Sequence, residues 1–258
     1  MCLILFAWQA HSRYPLVLAA NRDEFHARPT EPARFWDEAP GLLAGRDRQA
    51  GGTWLGVTRS GRFAAITNYR EPRAPERPLD FSRGHLVREY LLDEAAPGTH
   101  AARLRNCGEA YRGYSLLLGT PDELVCVSNR AEAPVEVPPG SHALSNHLLD
   151  TDWPKAHYGR LALEQLLAGE TIDPETLLEL LADRSPVSGE EPPGFDPGLA
   201  PELVTRMVFI RAPEYGTRCS TVLLIDRDGG VTFVERQFNA EGASTGTERF
   251  EFSVTPAP

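Results

Sequence analysis

The sequence is poor in the features that announce common ligands. Of its 26 Lys and Arg residues only Lys155 is a lysine, and 36 Asp and Glu outnumber them, for a formal charge of −10. Phosphate backbones and anionic membrane surfaces repel a chain of that sign, because cationic side chains supply the attraction there; no nucleic-acid partner is expected. Four cysteines, Cys2, Cys107, Cys126 and Cys219, lie at irregular spacing without a CxxC or CxxCH. Zinc, thioredoxin-type and c-type haem motifs are thereby absent, and no disulfide framework is read. The seven histidines show no metal-ligand spacing, so no metal site is expected. No apolar run approaches the ~20 residues that span a bilayer. The apolar start Leu3–Ala7 also lacks the basic flank of a secretion signal, so a cytoplasmic protein without a transmembrane segment is expected. Gly51-Gly52 is not followed by Lys-Ser/Thr as in a P-loop and reads as hairpin geometry.

What is present is an ordinary globular composition, 41% apolar and 24% charged over 258 residues. At roughly 100–200 residues per domain, this is read as a single domain over residues 1–258. Short apolar runs at Cys2–Trp8 and Leu16–Asn21 flank the turn-like Gln9–Pro15, which predicts an antiparallel hairpin. Ala50–Thr58, Arg62–Thr67, Tyr114–Gly119, Leu124–Ser128, Ser141–Leu144, Arg218–Ile225, Val231–Phe238 and Arg249–Val254 are further strand segments. Helical periodicity marks a segment capped by Ser82 and carrying Leu86, Tyr90 and Leu91 on one face, a weaker one at Ala101–Tyr111, and Trp153–Ala168. Asp173-Pro174 reads as an N-cap with proline at the first helical position, opening Glu175–Ala182. Arg184–Pro201, rich in Pro and Gly, reads as a surface excursion or lid. Many strands with a few amphipathic helices give an α+β fold of layered sheets covered by helices.

The residue with the sharpest chemistry is Cys2. A small second residue permits removal of the initiator Met, leaving one residue that carries both a thiol and a free α-amine. Their reference pKa values, about 8.5 and 7.7–8.0, let the amine serve as base to the thiol nucleophile. If the first hairpin turns near residues 11–13, Cys2 lies opposite residues 22–24, within the run Asn21-Arg22-Asp23-Glu24. Strand alternation puts Asn21 and Asp23 on one face and Arg22 on the other, and Asp23 is read as the hydrogen-bonding partner of the Cys2 amine and thiol. A cation would lower the thiol pKa, with Arg22, Arg28, Arg46 and Arg218 as candidates.

Seven segments in order, MCLILF at 1–6, LAANRDEF at 18–25, AGRD at 44–47, GGTWLGV at 51–57, AITNY at 65–69, LSN at 144–146 and YGTR at 215–218, closely resemble the NRDE family, also called the transport and Golgi organisation protein 2 family. The resemblance covers nearly the whole chain and implies a four-layer αββα fold of N-terminal nucleophile hydrolase type, with Cys2 as nucleophile. A more distant similarity to cysteine hydrolases of bile-salt and penicillin amides implies that Asp23 contacts the nucleophile. It also implies that Asn68, with the Tyr69 backbone N–H beside it, and Asn146 form the oxyanion region. Those hydrolases carry an Arg three residues before the Asp, where this chain has Ala20. Arg218 is then the candidate active-site cation with Arg206 as the alternative, and Arg22, Tyr69, His147 and Arg206 are the candidate substrate contacts.

Two functions follow from the resemblance. One is hydrolysis of an amide, thioester or ester of a small acyl substrate, which needs no cofactor. The other is a non-catalytic carrier using the same cleft for haem or for a lipid or acyl-CoA, since the roles suggested for this family centre on haem trafficking and lipid metabolism.

Overall fold

The computed structural model describes residues 2–70, 81–189 and 205–255. Met1 and residues 190–201 of the Pro/Gly-rich excursion lie outside the described residues.

The first hairpin sets the frame. Strands β1 (Cys2–Trp8) and β2 (Leu16–Phe25) pair antiparallel. Ile4, Phe6, Trp8, Leu16, Leu18 and Ala20 point into one core and Leu3, Leu5, Ala7, Val17 and Ala19 into another. Both faces are covered, which is why these strands read as continuous apolar runs rather than alternating ones. The second strand extends four residues past the apolar run, so Arg22, Asp23 and Glu24 are strand residues and not a solvated turn.

Two further strands, β3 (Thr30–Trp36) and β4 (Ala39–Asp47), were not legible in the sequence. Glu31, Pro32 and Arg34 interrupt their alternation; β3 is an edge strand, where proline costs no ladder bond. They open an antiparallel sheet that continues in chain order through β5 (Leu55–Thr58), β6 (Phe63–Asn68), β7 (Tyr114–Gly119), β8 (Leu124–Ser128) and the two-residue β9 (Val135–Glu136). The other sheet has the order β10-β1-β2-β11-β12-β13, with β10 at Gly140–Leu144, β11 at Tyr215–Ile225, β12 at Gly230–Phe238 and β13 at Ser244–Ser253.

The two sheets bury Phe6, Leu18, Leu43, Val57, Phe63, Leu117 and Phe233 between them. Helices α1 (Gly84–Leu92) and α2 (Pro97–Leu104) cover the outer face of the seven-stranded sheet through Leu86, Tyr90, Ala101 and Leu104. Helices α3 (Pro154–Leu166) and α4 (Pro174–Leu181) cover the outer face of the other through Ala156, Leu163, Leu177 and Leu181. The layers are therefore α, β, β, α, the architecture the family resemblance implied.

Helix ends refine the sequence reading. Asp173 caps α4, its carboxylate accepting the Glu175 N–H at 3.1 Å, whereas the first helix has Arg83 at its N-cap with no side-chain cap bond, so Ser82 does not fill that role. The weak segment at 101–111 is the end of α2, which begins at Pro97, followed by a 3₁₀ turn at Gly108–Ala110. Among the described residues no helix is long and apolar enough to cross a membrane. All four cysteines are free thiols.

Two close approaches position the site. A Cβ on Gly159 would stand 2.7 Å from Leu5 Cδ1, so α3 lies tight on β1 and carries its first turn onto the sheet. A Cβ on Gly52 would stand 2.4 Å from the Gly84 carbonyl carbon, and the Thr53 N–H donates to the Gly84 carbonyl at 3.1 Å. The glycine pair is thus a packing device that brings Thr53-Trp54 against the start of α1, in keeping with a structural rather than phosphate-binding role.

Candidate active site

Cys2 is half-buried at the start of β1 and lines a solvent-open cleft of about 110 Å³ together with Arg22, Trp54, Asn68, Arg83 and Gly84. Cross-strand pairing sets its neighbours. Cys2 is opposite Arg22 on β2, and Arg22 is opposite Cys219 on β11, so the three form one row across the sheet. Directly paired strand residues share a face. The expectation that put Arg22 on the face away from the thiol is therefore corrected: Arg22 is the thiol's facing neighbour, and the Asp23 side chain belongs to the alternate, helix-covered face. What the thiol meets of Asp23 nearby is its backbone N–H, which favours the thiolate.

Arg22 is 6% exposed. Its guanidinium lies 4.3 Å from the Trp54 ring centroid, and Nη2 faces Glu24 Oε2 at 3.7 Å. Burial pushes the Cys2 thiol above its ordinary value, and the nearby Asp23 charge adds to this; the Asp23 N–H and the Arg22 cation pull the other way without reversing it. The resting thiol is protonated at neutral pH and needs a base.

The Asp23 carboxyl is 2% exposed. The Thr217 hydroxyl donates to Oδ1 at 2.7 Å and the Tyr215 hydroxyl to the Asp23 carbonyl at 2.8 Å. Burial raises the carboxyl's pKa, opposed first by the charge of Lys155. This lysine, on the first turn of α3, was missed by the sequence reading. It is wholly buried, its Nζ makes no hydrogen bond among the described residues, and its charge is felt by Asp23 and Cys2. Desolvation pushes its ammonium below the usual lysine range, partly offset by those two groups. The available signal was its singularity: the other 25 basic residues are arginines.

The asparagines divide. Asn68 ends β6 and lines the cleft. Asn146 does not line it; with φ at 52° it sits in the left-handed region that Asn tolerates, and its Nδ2 donates to the Asn68 carbonyl at 3.0 Å. The Ser145 hydroxyl donates to the Cys2 carbonyl at 2.9 Å. Residues 145–146 therefore tie the ends of β1 and β6 together, and Asn146 braces Asn68 rather than facing the cleft. The Tyr69 N–H donates to the Gly113 carbonyl at 2.8 Å, which takes it from the oxyanion role. The Tyr69 hydroxyl meets His147 Nε2 at 2.7 Å, His147 Nδ1 meets the Thr151 hydroxyl at 2.9 Å, and neither Tyr69 nor His147 lines the cleft.

The remaining cations are elsewhere. Arg218 occupies a bulge between Thr217 and Cys219, and its Nη1 donates to the carbonyls of Phe25, His26 and Arg28, fastening the turn after β2. Arg206 donates to the Gly189 carbonyl at 2.9 Å. Neither lines the Cys2 cleft; among the described residues the cations that act on the thiol and on Asp23 are Arg22 and Lys155.

A family model described as transport and Golgi organisation 2 matches residues 1–240. The chain belongs to this family. It is similar to the transport and Golgi organization protein 2 homolog of Bos taurus, 37% identical over 92% of each chain, and to that of Homo sapiens, 34% identical over 98% of this chain and 99% of that one. Among solved structures it is similar to the N-acylethanolamine-hydrolyzing acid amidase ortholog of Caenorhabditis elegans, at 13% identity and a TM-score of 0.47, covering 86% of this chain and 92% of that one.

Proposed function

We propose that the protein is an N-terminal cysteine nucleophile hydrolase of an amide, thioester or ester bond in a small acyl substrate, acting in the cytoplasm. The observation that carries this reading is the Cys2 thiol lining the cleft and paired directly across the strands with Arg22. Removal of Met1 gives Cys2 a free amine. That amine takes the thiol proton as sulfur attacks the substrate carbonyl; the C–S bond forms and the carbonyl electrons move to oxygen. The Asn68 amide is the side-chain donor nearest in kind to what an oxyanion requires. The ammonium then returns its proton to the leaving amine, alkoxide or thiolate as that bond breaks, and water hydrolyses the resulting thioester. Asp23, held by Thr217 and biased toward its charged form by Lys155, orients the Cys2 ammonium.

The lining favours hydrolysis over haem carriage. Arg22, Arg28, Arg83, Glu24 and Asp47 surround the thiol, whereas a thiolate-ligated haem needs apolar walls for its macrocycle. The test pairs intact-mass analysis of protein from its native host with acyl-amide and acyl-thioester panels for wild type and Cys2→Ala. Loss of Met1 with Cys2-dependent turnover is expected. Met1 retained in fully functional protein, or stoichiometric haem binding with no Cys2-dependent turnover, would overturn the reading.

A further inference from the structure

Buried donors without acceptors are rare, and each costs roughly 1–3 kcal/mol unless a partner arrives. Two stand side by side next to Cys2. Arg22 Nη1 and Trp54 Nε1 are both inaccessible to solvent and make no hydrogen bond among the described residues, and their side chains stack, guanidinium on indole, at 4.3 Å. Nη2 of the same guanidinium faces Glu24, a residue of the cleft wall, which puts the tip of Arg22 at the cleft and leaves Nη1 over. Trp54 is closely packed: a Cβ on Gly45 would stand 2.4 Å from Cη2 of its ring, so the indole takes the space that a side chain there would need.

We infer that Arg22 and Trp54 form a subsite for a carboxylate carried by the substrate beside its scissile carbonyl. This rests on the hydrolase reading, which puts the scissile carbonyl at Cys2 Sγ. Direct hydrogen bonding, not bulk potential, does the selecting, because the cleft wall holds acids as well as bases: Asp23, Glu24 and Asp47 against Arg22, Arg28 and Arg83. Arg28 and Asp47 satisfy each other at 2.6 Å. The same acids disfavour a doubly charged phosphate, whereas a singly charged carboxylate offers two oxygens to two waiting donors. An acceptor there also lies on the Cys2 side of the row, since Cys2 and Arg22 are paired directly.

The test reads the thiol itself and needs no substrate. Iodoacetate and iodoacetamide alkylate the same sulfur and differ in a carboxylate, so their rate ratio cancels changes in thiol ionisation. Rates at Cys2 are followed by peptide mass, with the exposed Cys107 in the same sample as internal reference. The expected ratio at Cys2 exceeds that at Cys107 by about tenfold, the size of one charge-assisted hydrogen bond. It falls to the Cys107 value in Arg22→Met, falls several-fold in Trp54→Phe, which keeps the ring and loses only the N–H donor, and rises in Glu24→Gln. Should Arg22→Met fail to fold, Arg22→Lys and Trp54→Phe still decide the matter. Equal ratios at the two cysteines in wild type, unmoved by Trp54→Phe, would overturn the subsite while leaving the nucleophile reading standing. Cys2 inert to both reagents would overturn both.

Discussion

Lys155→Met should make the protein less stable and its thiol less reactive. The lysine is 0% exposed and stands in the first turn of α3, where the positive end of the helix dipole disfavours a cation. Its Nζ has no hydrogen-bond partner among the described residues, and the charge of Asp23 is the first thing that offsets its burial. Replacing both members of a buried charged pair is commonly neutral or stabilising, but removing one strands the other at about 3–5 kcal/mol, and Lys155→Met leaves Asp23 buried without the first of the charges that offset its burial. For a domain of this size each kcal/mol moves Tm by roughly 2–4 °C, so a fall of several degrees is expected in a thermal melt. Asp23 meanwhile loses the first of the charges that oppose its burial and moves further toward its neutral form, and iodoacetamide alkylation of Cys2 at neutral pH slows. Because the chain has one lysine, ¹³Cε-lysine labelling gives one side-chain resonance. Its titration should fall below the usual value of about 10.4, and fall further in Asp23→Asn, where the compensating anion is gone. A lysine that titrates normally, or a Lys155→Met variant with unchanged Tm and unchanged alkylation, would refute the reasoning.

Two further outcomes follow from the geometry. Arg218→Ala should cost about 1–2 kcal/mol in urea melts, through three lost carbonyl contacts, and leave the Cys2 alkylation rate within twofold; a tenfold slowing would restore Arg218 to the active site. The His142–Asp150 pair, at 2.8 Å between β10 and the loop after it, should make stability pH-dependent. Burial disfavours the His142 imidazolium, but Asp150 and the Pro138 carbonyl outweigh it and raise its pKa, while hydrogen bonds from His142 and the Ala143 N–H outweigh burial and lower that of Asp150. The histidine contribution is complete below about pH 6.5 and is lost as pH rises through its folded value. The aspartate contribution is complete above about pH 4 and is lost as pH falls through its folded value. Stability from this pair is therefore greatest between about pH 4 and 6.5. Asp150→Asn should flatten the decline above that window, worth no more than ~1 kcal/mol for a carboxylate this exposed, and an unchanged urea midpoint profile would reject it.

The hairpin of β1 and β2 was legible because two apolar runs flank a turn, but which side chain faces the thiol depends on a single residue of register. Cys2 opposite Arg22 rather than Asp23 exchanges the two faces, and turn arithmetic good to one residue cannot decide that. The bulge in β11 hides Arg218 for a similar reason. Strict alternation would set Thr217 and Cys219 on one face, yet Thr217 pairs with Asp23 and Cys219 with Arg22, so the extra residue switches faces and turns Arg218 out to the turn after β2. Neither feature leaves a compositional mark.

The missing cation follows from the same geometry. Where the hydrolases that this chain distantly resembles carry an Arg, Ala20 points into the apolar layer between the sheets, packed with Ile4, Leu18 and Leu144. An arginine there would have to bury its charge among aliphatic side chains. The positive charge is met instead from two directions, Arg22 two residues further along β2 on the thiol's face and Lys155 reaching the helix-covered face from α3. Splitting the charge leaves Arg22 Nη1 without a hydrogen bond among the described residues, and makes Lys155 the first of the groups that oppose the burial of the Asp23 carboxyl. That division is why alkylation in the Arg22 variants should respond to the charge of the reagent, while in Lys155→Met it should slow for both reagents alike.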